Sequence, residues 1–232
     1  MIPTMSDRRE VITGLSASFA ALLARSAWGQ SRTASCVLTP VTSEGPYYFD
    51  PKLVRSDIAE KQPGVPLTLD LRVVSAKDCE PIPKARVDIW HADARGLYSG
   101  YSGQYGNTTT ADQNTEGKTF LRGTQFANAG GLTTFRTIYP SWYRGRTTHI
   151  HFKIFLEPRE VAVSQLYFKD VVSDGVFTSS SDYRPRRRDR DTFNEDDMYL
   201  RDRVGGAFCD VTRQKPVDGS PNYLASVVIG IA

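Results

Sequence analysis

The chain has 232 residues, 40% of them hydrophobic and 24% charged, with a formal net charge of +3. That is enough apolar material for one core-forming domain of the all-β size class. The charge is too small for nucleic-acid binding, since the densest basic run, residues 184–190, is broken by Pro185 and Asp189.

In chain order, residues 1–29 read as an export signal: a basic start with Arg8 and Arg9, a short apolar stretch over residues 11–24, and small residues Ala27 and Gly29 at a cleavage position. The arginine pair resembles a twin-arginine signal, a route that exports proteins already folded. The apolar stretch falls short of the ~20 residues of a membrane span, so residues 30–232 are expected to form a periplasmic or extracellular domain with no membrane span. Three cysteines in an exported protein suggest one disulfide. Sequence permits three pairings; Cys36–Cys79, stapling an arm to the first hairpin, is favoured over those with Cys209.

Residues 36–66 form a Pro- and Gly-rich arm that could fold back or cross to a partner, which leaves a homo-oligomer open. Leu67, Leu69, Leu71 and Val73 alternate with polar residues, predicting a half-buried strand, and residues 85–90 predict a second. From 98 to 118 the composition turns to Gly, Ser, Thr, Asn and Gln, a long loop of a kind that often carries function and is expected to help shape substrate choice. Strands follow at 120–126, 132–138, 149–156 and 161–168. Residues 174–222 read as polar and irregular, with a short helix near 195–202, and a last strand is predicted at 226–231. The fold class is mainly β, a sandwich with long loops and little helix.

The strand at 149–156 carries two of the chain's three histidines. Residues i and i+2 of a strand share a face, so His149 and His151 can reach one metal ion without special backbone geometry, while Ile150, Phe152 and Ile154 face the core. Tyr143, with Tyr139 as a local rival, and Arg146 lie just upstream.

Taken together, EGPYY at residues 44–48, DIWHAD at 88–93 followed by Gly96-Leu-Tyr98, FLRG at 120–123, TIYP at 137–140, Trp142-Tyr143 and RTTHIH at 146–151 resemble the intradiol ring-cleavage dioxygenases, the family of protocatechuate 3,4-dioxygenase and catechol 1,2-dioxygenase. The resemblance runs from about residue 36 to 170. It implies a mononuclear non-haem Fe(III) held by Tyr98, Tyr143, His149 and His151, with Tyr143 rather than Tyr139 as ligand because it follows Pro-x-Trp at the family's spacing. It further implies a small aromatic diol and O2 as substrates and a cis,cis-muconate-type product. Tyr143 would be the ligand the diol displaces, Arg146 would stabilise charge on the ring carbon, and Gln165 would line the pocket near the ring. A trivalent ion favours deprotonated phenolates strongly, which makes a two-tyrosine ligand set chemically sensible.

Other readings account for fewer of these residues. A cupin-like site needs a later histidine, and none follows His151. A hydrolytic zinc site built from His91, His149 and His151 leaves Tyr98, Tyr143 and Arg146 unexplained. A secreted β-sandwich that binds polyphenols or glycans, with a vestigial metal site, is the alternative from another class. His91 is expected to support the site rather than ligate, and Arg122 and Arg136 to be structural ion-pair partners. The arginine run at 184–190 is expected to be a solvated loop.

Overall fold

The computed structural model describes residues 37–104, 106, 114–183, 190–200, 208–215 and 221–232. The predicted export signal, Cys36, residues 184–189 and the end of the helix predicted near 195–202 lie outside them.

Eight strands form two four-stranded sheets. They are β1 (Pro66–Ser75), β2 (Arg86–Trp90), β3 (Arg122–Phe126), β4 (Leu132–Ile138), β5 (His149–Leu156), β6 (Arg159–Tyr167), β7 (Asp210–Gln214) and β8 (Asn222–Ile231). One sheet runs β4-β1-β8-β7 and the other β3-β2-β5-β6. All pairings are antiparallel except β1 with β8, which run parallel from Leu67↔Tyr223 to Ser75↔Ile231. The sandwich is the predicted mainly-β fold.

Alternation explains the core. Leu67, Leu69, Leu71 and Val73 of β1 meet Val87 and Ile89 of β2, Ile150, Phe152 and Ile154 of β5 and Ala225, Val227, Ile229 and Ile231 of β8 in one buried cluster. Each buried Val, Leu, Ile or Phe among them contributes about 1.5–3 kcal/mol on leaving water. The first six residues of β5 are all buried, the histidines included. The second face of this sheet is covered as well.

The cover is the arm. Thr39 N donates to Gly230 O and Thr42 N to Val163 O, so the arm folds back on its own domain. Further along, Arg55 N donates to Thr124 O, Arg136 N to Ser56 O and Ile58 N to Arg136 O. The arm thus joins β3 and β4, the edge strands of the two sheets, and occupies backbone groups that would otherwise be open to another chain. Cys79 is disulfide-bonded and Cys209 is a buried free thiol.

Two features of the polar region differ from expectation. Its α-helix, α1 (Asp170–Ser179), starts at residue 170, and the described part of 195–202 forms turns instead of a helix. A polar edge strand, β7, also lies in the stretch read as irregular.

Candidate active site

Strand register brings the site together. His151 of β5 lies opposite Trp90 of β2 and Gln165 of β6, and His149 lies opposite Tyr167. Paired residues share a face of the sheet, so Trp90, His151 and Gln165 form one row and His149 and Tyr167 the next. Trp90 stacks on the His151 ring at 4.9 Å and 8°.

Tyr98 arrives from beyond β2. Asp93 turns the chain, accepting from Leu97 N through Oδ1 at 2.9 Å, and Gly96 supplies the φ of +78° that the turn needs. This return sets Tyr98 Oη 3.2 Å from His149 Nε2, while the two histidine Nε2 atoms lie 3.1 Å apart. Tyr143 follows β4 on a turn closed by Arg146 N donating to Tyr143 O. Its ring stands edge-on to His149 at 5.5 Å and to Tyr98 at 5.8 Å. Tyr139 sits elsewhere, in the main core, with its hydroxyl 2.9 Å from Ser173 Oγ.

The donor set suits a metal. His149 Nδ1 donates to Thr147 O at 2.7 Å, which leaves a lone pair on Nε2. Burial, aided by the nearby Arg146 charge, pushes both imidazoles well below the usual histidine range, so they are neutral and ready to ligate. No group of three or more His, Cys, Asp or Glu suited to a metal occurs among the described residues; the oxygen donor in contact with the paired imidazoles is the Tyr98 phenol. Burial raises the Tyr98 and Tyr143 hydroxyls, so each stays protonated unless a cation favours the phenolate. His91 has both nitrogens engaged, Nδ1 donating to Ala92 O at 2.9 Å and Nε2 accepting from Thr137 Oγ1 at 2.7 Å.

Arg146 is held from several directions. Its Nε donates to Asp197 at 2.9 Å, Nη1 to Tyr143 Oη at 3.3 Å and Nη2 to Gln165 Oε1, and the Tyr199 ring covers it at 4.5 Å. Gln165 also accepts from Tyr167 Oη at 3.0 Å. Asp197 was not singled out from sequence, since one acidic residue in a polar stretch carries no local signal.

The EGPYY arm closes the other wall. Glu44 pairs with Lys153, Tyr48 Oη donates to Asp88 at 2.9 Å, and Asp50 pairs with Arg86. Between these anchors Tyr47 stacks on Tyr98 at 4.6 Å and meets Tyr143 edge-on at 6.3 Å. Gly45 sits against His151, where an added Cβ would lie 3.2 Å from Cε1.

Two arginine expectations need correction. Arg122 pairs with no carboxylate among the described residues; it donates to Ser99 Oγ and Ser99 O and lies over Phe49 at 4.2 Å. Its guanidinium is fully buried, and carbonyl, hydroxyl and ring contacts replace the ion pair. Arg136 does pair with Asp57, at 3.6 Å. Arg190 is no solvated residue either, because it is packed under Phe193 and paired with Asp170 and Asp174.

Comparison with known proteins shows the family and the fold. A family profile described as "Dioxygenase" matches residues 40–183. An intradiol ring-cleavage dioxygenase from Tetranychus urticae is 29% identical, covering 84% of this chain and 95% of its own, with a TM-score of 0.73. The dioxygenase domain of a carbohydrate-binding fusion from Streptomyces sp. SirexAA-E is 28% identical over 84% of this chain and 99% of that one, with a TM-score of 0.56. The 3-chlorocatechol 1,2-dioxygenase of Rhodococcus opacus 1CP shares the fold at 19% identity, with 83% and 72% coverage and a TM-score of 0.57. No curated protein matches the chain.

Proposed function

The chain belongs to the intradiol ring-cleavage dioxygenases, and on that premise we propose that it opens a catechol-type ring with O2, using a mononuclear non-haem Fe(III) held by Tyr98, Tyr143, His149 and His151. The product would be a cis,cis-muconate-type diacid. The observation that carries this reading is the convergence of Tyr98 Oη, His149 Nε2 and His151 Nε2 within 3.2 Å and 3.1 Å contacts. Tyr143 stands edge-on beside them.

When bound, ferric iron supplies activation of the chelated diol, drawing electron density from its oxygens so that a ring carbon becomes open to O2. The chain's residues do the rest. Tyr143, partly buried beside the imidazoles, would be the ligand an incoming diol displaces, and its phenolate could then take a hydroxyl proton from that diol. Arg146 donates to that oxygen and brings fixed positive charge to where negative charge develops on the ring, an effect largest in a dry pocket. Gln165 holds the guanidinium in place. Tyr47 and the arm exclude water from one side.

The first 29 residues are read as an export signal, which sets the activity outside the cytoplasm. The test is the visible spectrum of the purified mature protein before and after anaerobic addition of catechol. A red-brown tyrosinate-to-iron band that shifts with catechol supports ligand set and substrate together. A protein that stays colourless after Fe(III) and catechol overturns the proposal and leaves the polyphenol- or glycan-binding module.

A further inference from the structure

Tyr98 is buried but lies outside every strand, so its backbone groups need partners that no neighbouring strand supplies. One side chain takes both. Gln104 Oε1 accepts from Tyr98 N at 2.7 Å, and Gln104 Nε2 donates to Tyr98 O at 2.7 Å. The Thr115 hydroxyl donates to the same carbonyl at 2.6 Å. Both side chains are buried. The next residue is fixed as well: Ser99 Oγ donates to Phe120 O at 2.7 Å, and Arg122 Nη2 donates to Ser99 O at 2.8 Å.

We infer that Gln104 and Thr115 are positioning residues that aim the Tyr98 phenol at the paired imidazoles. A tyrosine side chain turns on two torsions, so the frame of its backbone decides where its oxygen falls. A backbone rotation of roughly 10° would carry the oxygen by about 1 Å, beyond the tolerance of a functional site and enough to cost about a hundredfold in rate. The amide of Gln104 resists such a rotation because its two bonds run to the groups on either side of the Tyr98 Cα. The loop read from sequence as shaping substrate choice thus has, at its base, a clamp on Tyr98. The inference rests on the reading of Tyr98 as a metal ligand.

Two measurements test it on the full-length mature protein. In the metal-free protein, Gln104→Met should raise the exchange rate of the Tyr98 amide by about tenfold or more, with the β5 amides unchanged. In the iron-loaded protein, Gln104→Met should keep the iron but move the tyrosinate charge-transfer band, and lower kcat about tenfold or more with KM within about twofold. Thr115→Val should shift the band in the same direction and Thr115→Ser should restore it, which keeps the inference testable if Gln104→Met fails to fold. Unchanged amide protection and an unmoved band in folded Gln104→Met and Thr115→Val would overturn the clamp. A wild-type protein with no tyrosinate band would instead overturn the ligand reading, and amide exchange alone would then decide whether Gln104 fixes Tyr98.

Discussion

Arg146 Nε and Asp197 Oδ2 meet at 2.9 Å, and Asp197 is fully buried. Asp197 also accepts from Thr147 N at 3.0 Å and, through Oδ1, from Tyr199 N at 2.9 Å. The pair joins the turn before the histidine strand to a segment beyond the region the family profile covers. The charge that orients Arg146 is therefore supplied from outside the stretch that profile matches.

Removing that charge should be costly. Asp197→Asn would leave a buried guanidinium without its counter-ion, and a drop of about 3 kcal/mol in unfolding free energy is expected. Loss of Arg146 orientation should lower kcat as well. Urea unfolding and steady-state kinetics check both, and a variant as stable as the parent would deny the pair this role.

Tyr143→Phe and Tyr139→Phe should separate cleanly. The first is expected to retain iron, shift the colour and slow turnover. The second loses only the contact with Ser173, so about 1 kcal/mol of stability should go while spectrum and rate hold. An unchanged spectrum and rate in Tyr143→Phe would move the ligand assignment away from Tyr143.

Acid should destabilise the metal-free protein through its buried imidazoles. Burial pushes His91 down to about 4 and the two paired histidines well below their ordinary value. Below about pH 6.5 the unfolded chain binds protons the folded one refuses, so stability is full above that pH and falls towards pH 4. Each imidazole contributes a slope of up to about 1.4 kcal/mol per pH unit. Unfolding free energies from about pH 7.5 to about 4.5 measure the slope, and His91→Gln should reduce it by about one proton.

Gly45→Ala probes the closeness of the arm to the site. Gly45 has a φ of +75°, and its Cβ would press on His151 at 3.2 Å. Strain of about 1–2 kcal/mol is expected from the backbone alone, with a displaced imidazole and weaker iron retention. Iron content after dialysis against a chelator is the readout; retention equal to the parent would place the arm farther from His151.

The sequence made the strands with apolar alternation legible, and β4 and β5 match the predicted bounds residue for residue. Strand β7 was hidden because its residues are mostly polar and exposed, with no buried stripe to read. Helix α1 contains Gly175 and several β-branched residues and has no side-chain cap, so local propensity argues against it; burial of Val176 and Phe177 holds it in place. Over 195–200, the described part of the helix expected near 195–202, turns stand instead, and their Asp197 points inward to Arg146. The motif residues Tyr98, Tyr143, Arg146, His149, His151 and Gln165 do come together, because strand register and two tight turns fix them. Asp197 and Gln104 matter only through contacts made on folding, and no spacing rule marks them.

The parallel pairing of β1 with β8 also governs the order of assembly during synthesis. The sheet β3-β2-β5-β6 has all its strands once Tyr167 has left the ribosome, and the paired imidazoles can meet Tyr98 from then on. The other sheet must wait for residues 222–231, because β8 lies between β1 and β7 and nothing earlier can fill that place. Closing so long a stretch of chain is entropically slow. A nascent chain halted short of β8 would carry the paired imidazoles and Tyr98 on a half-built sandwich, its β1 leucines open to chaperones.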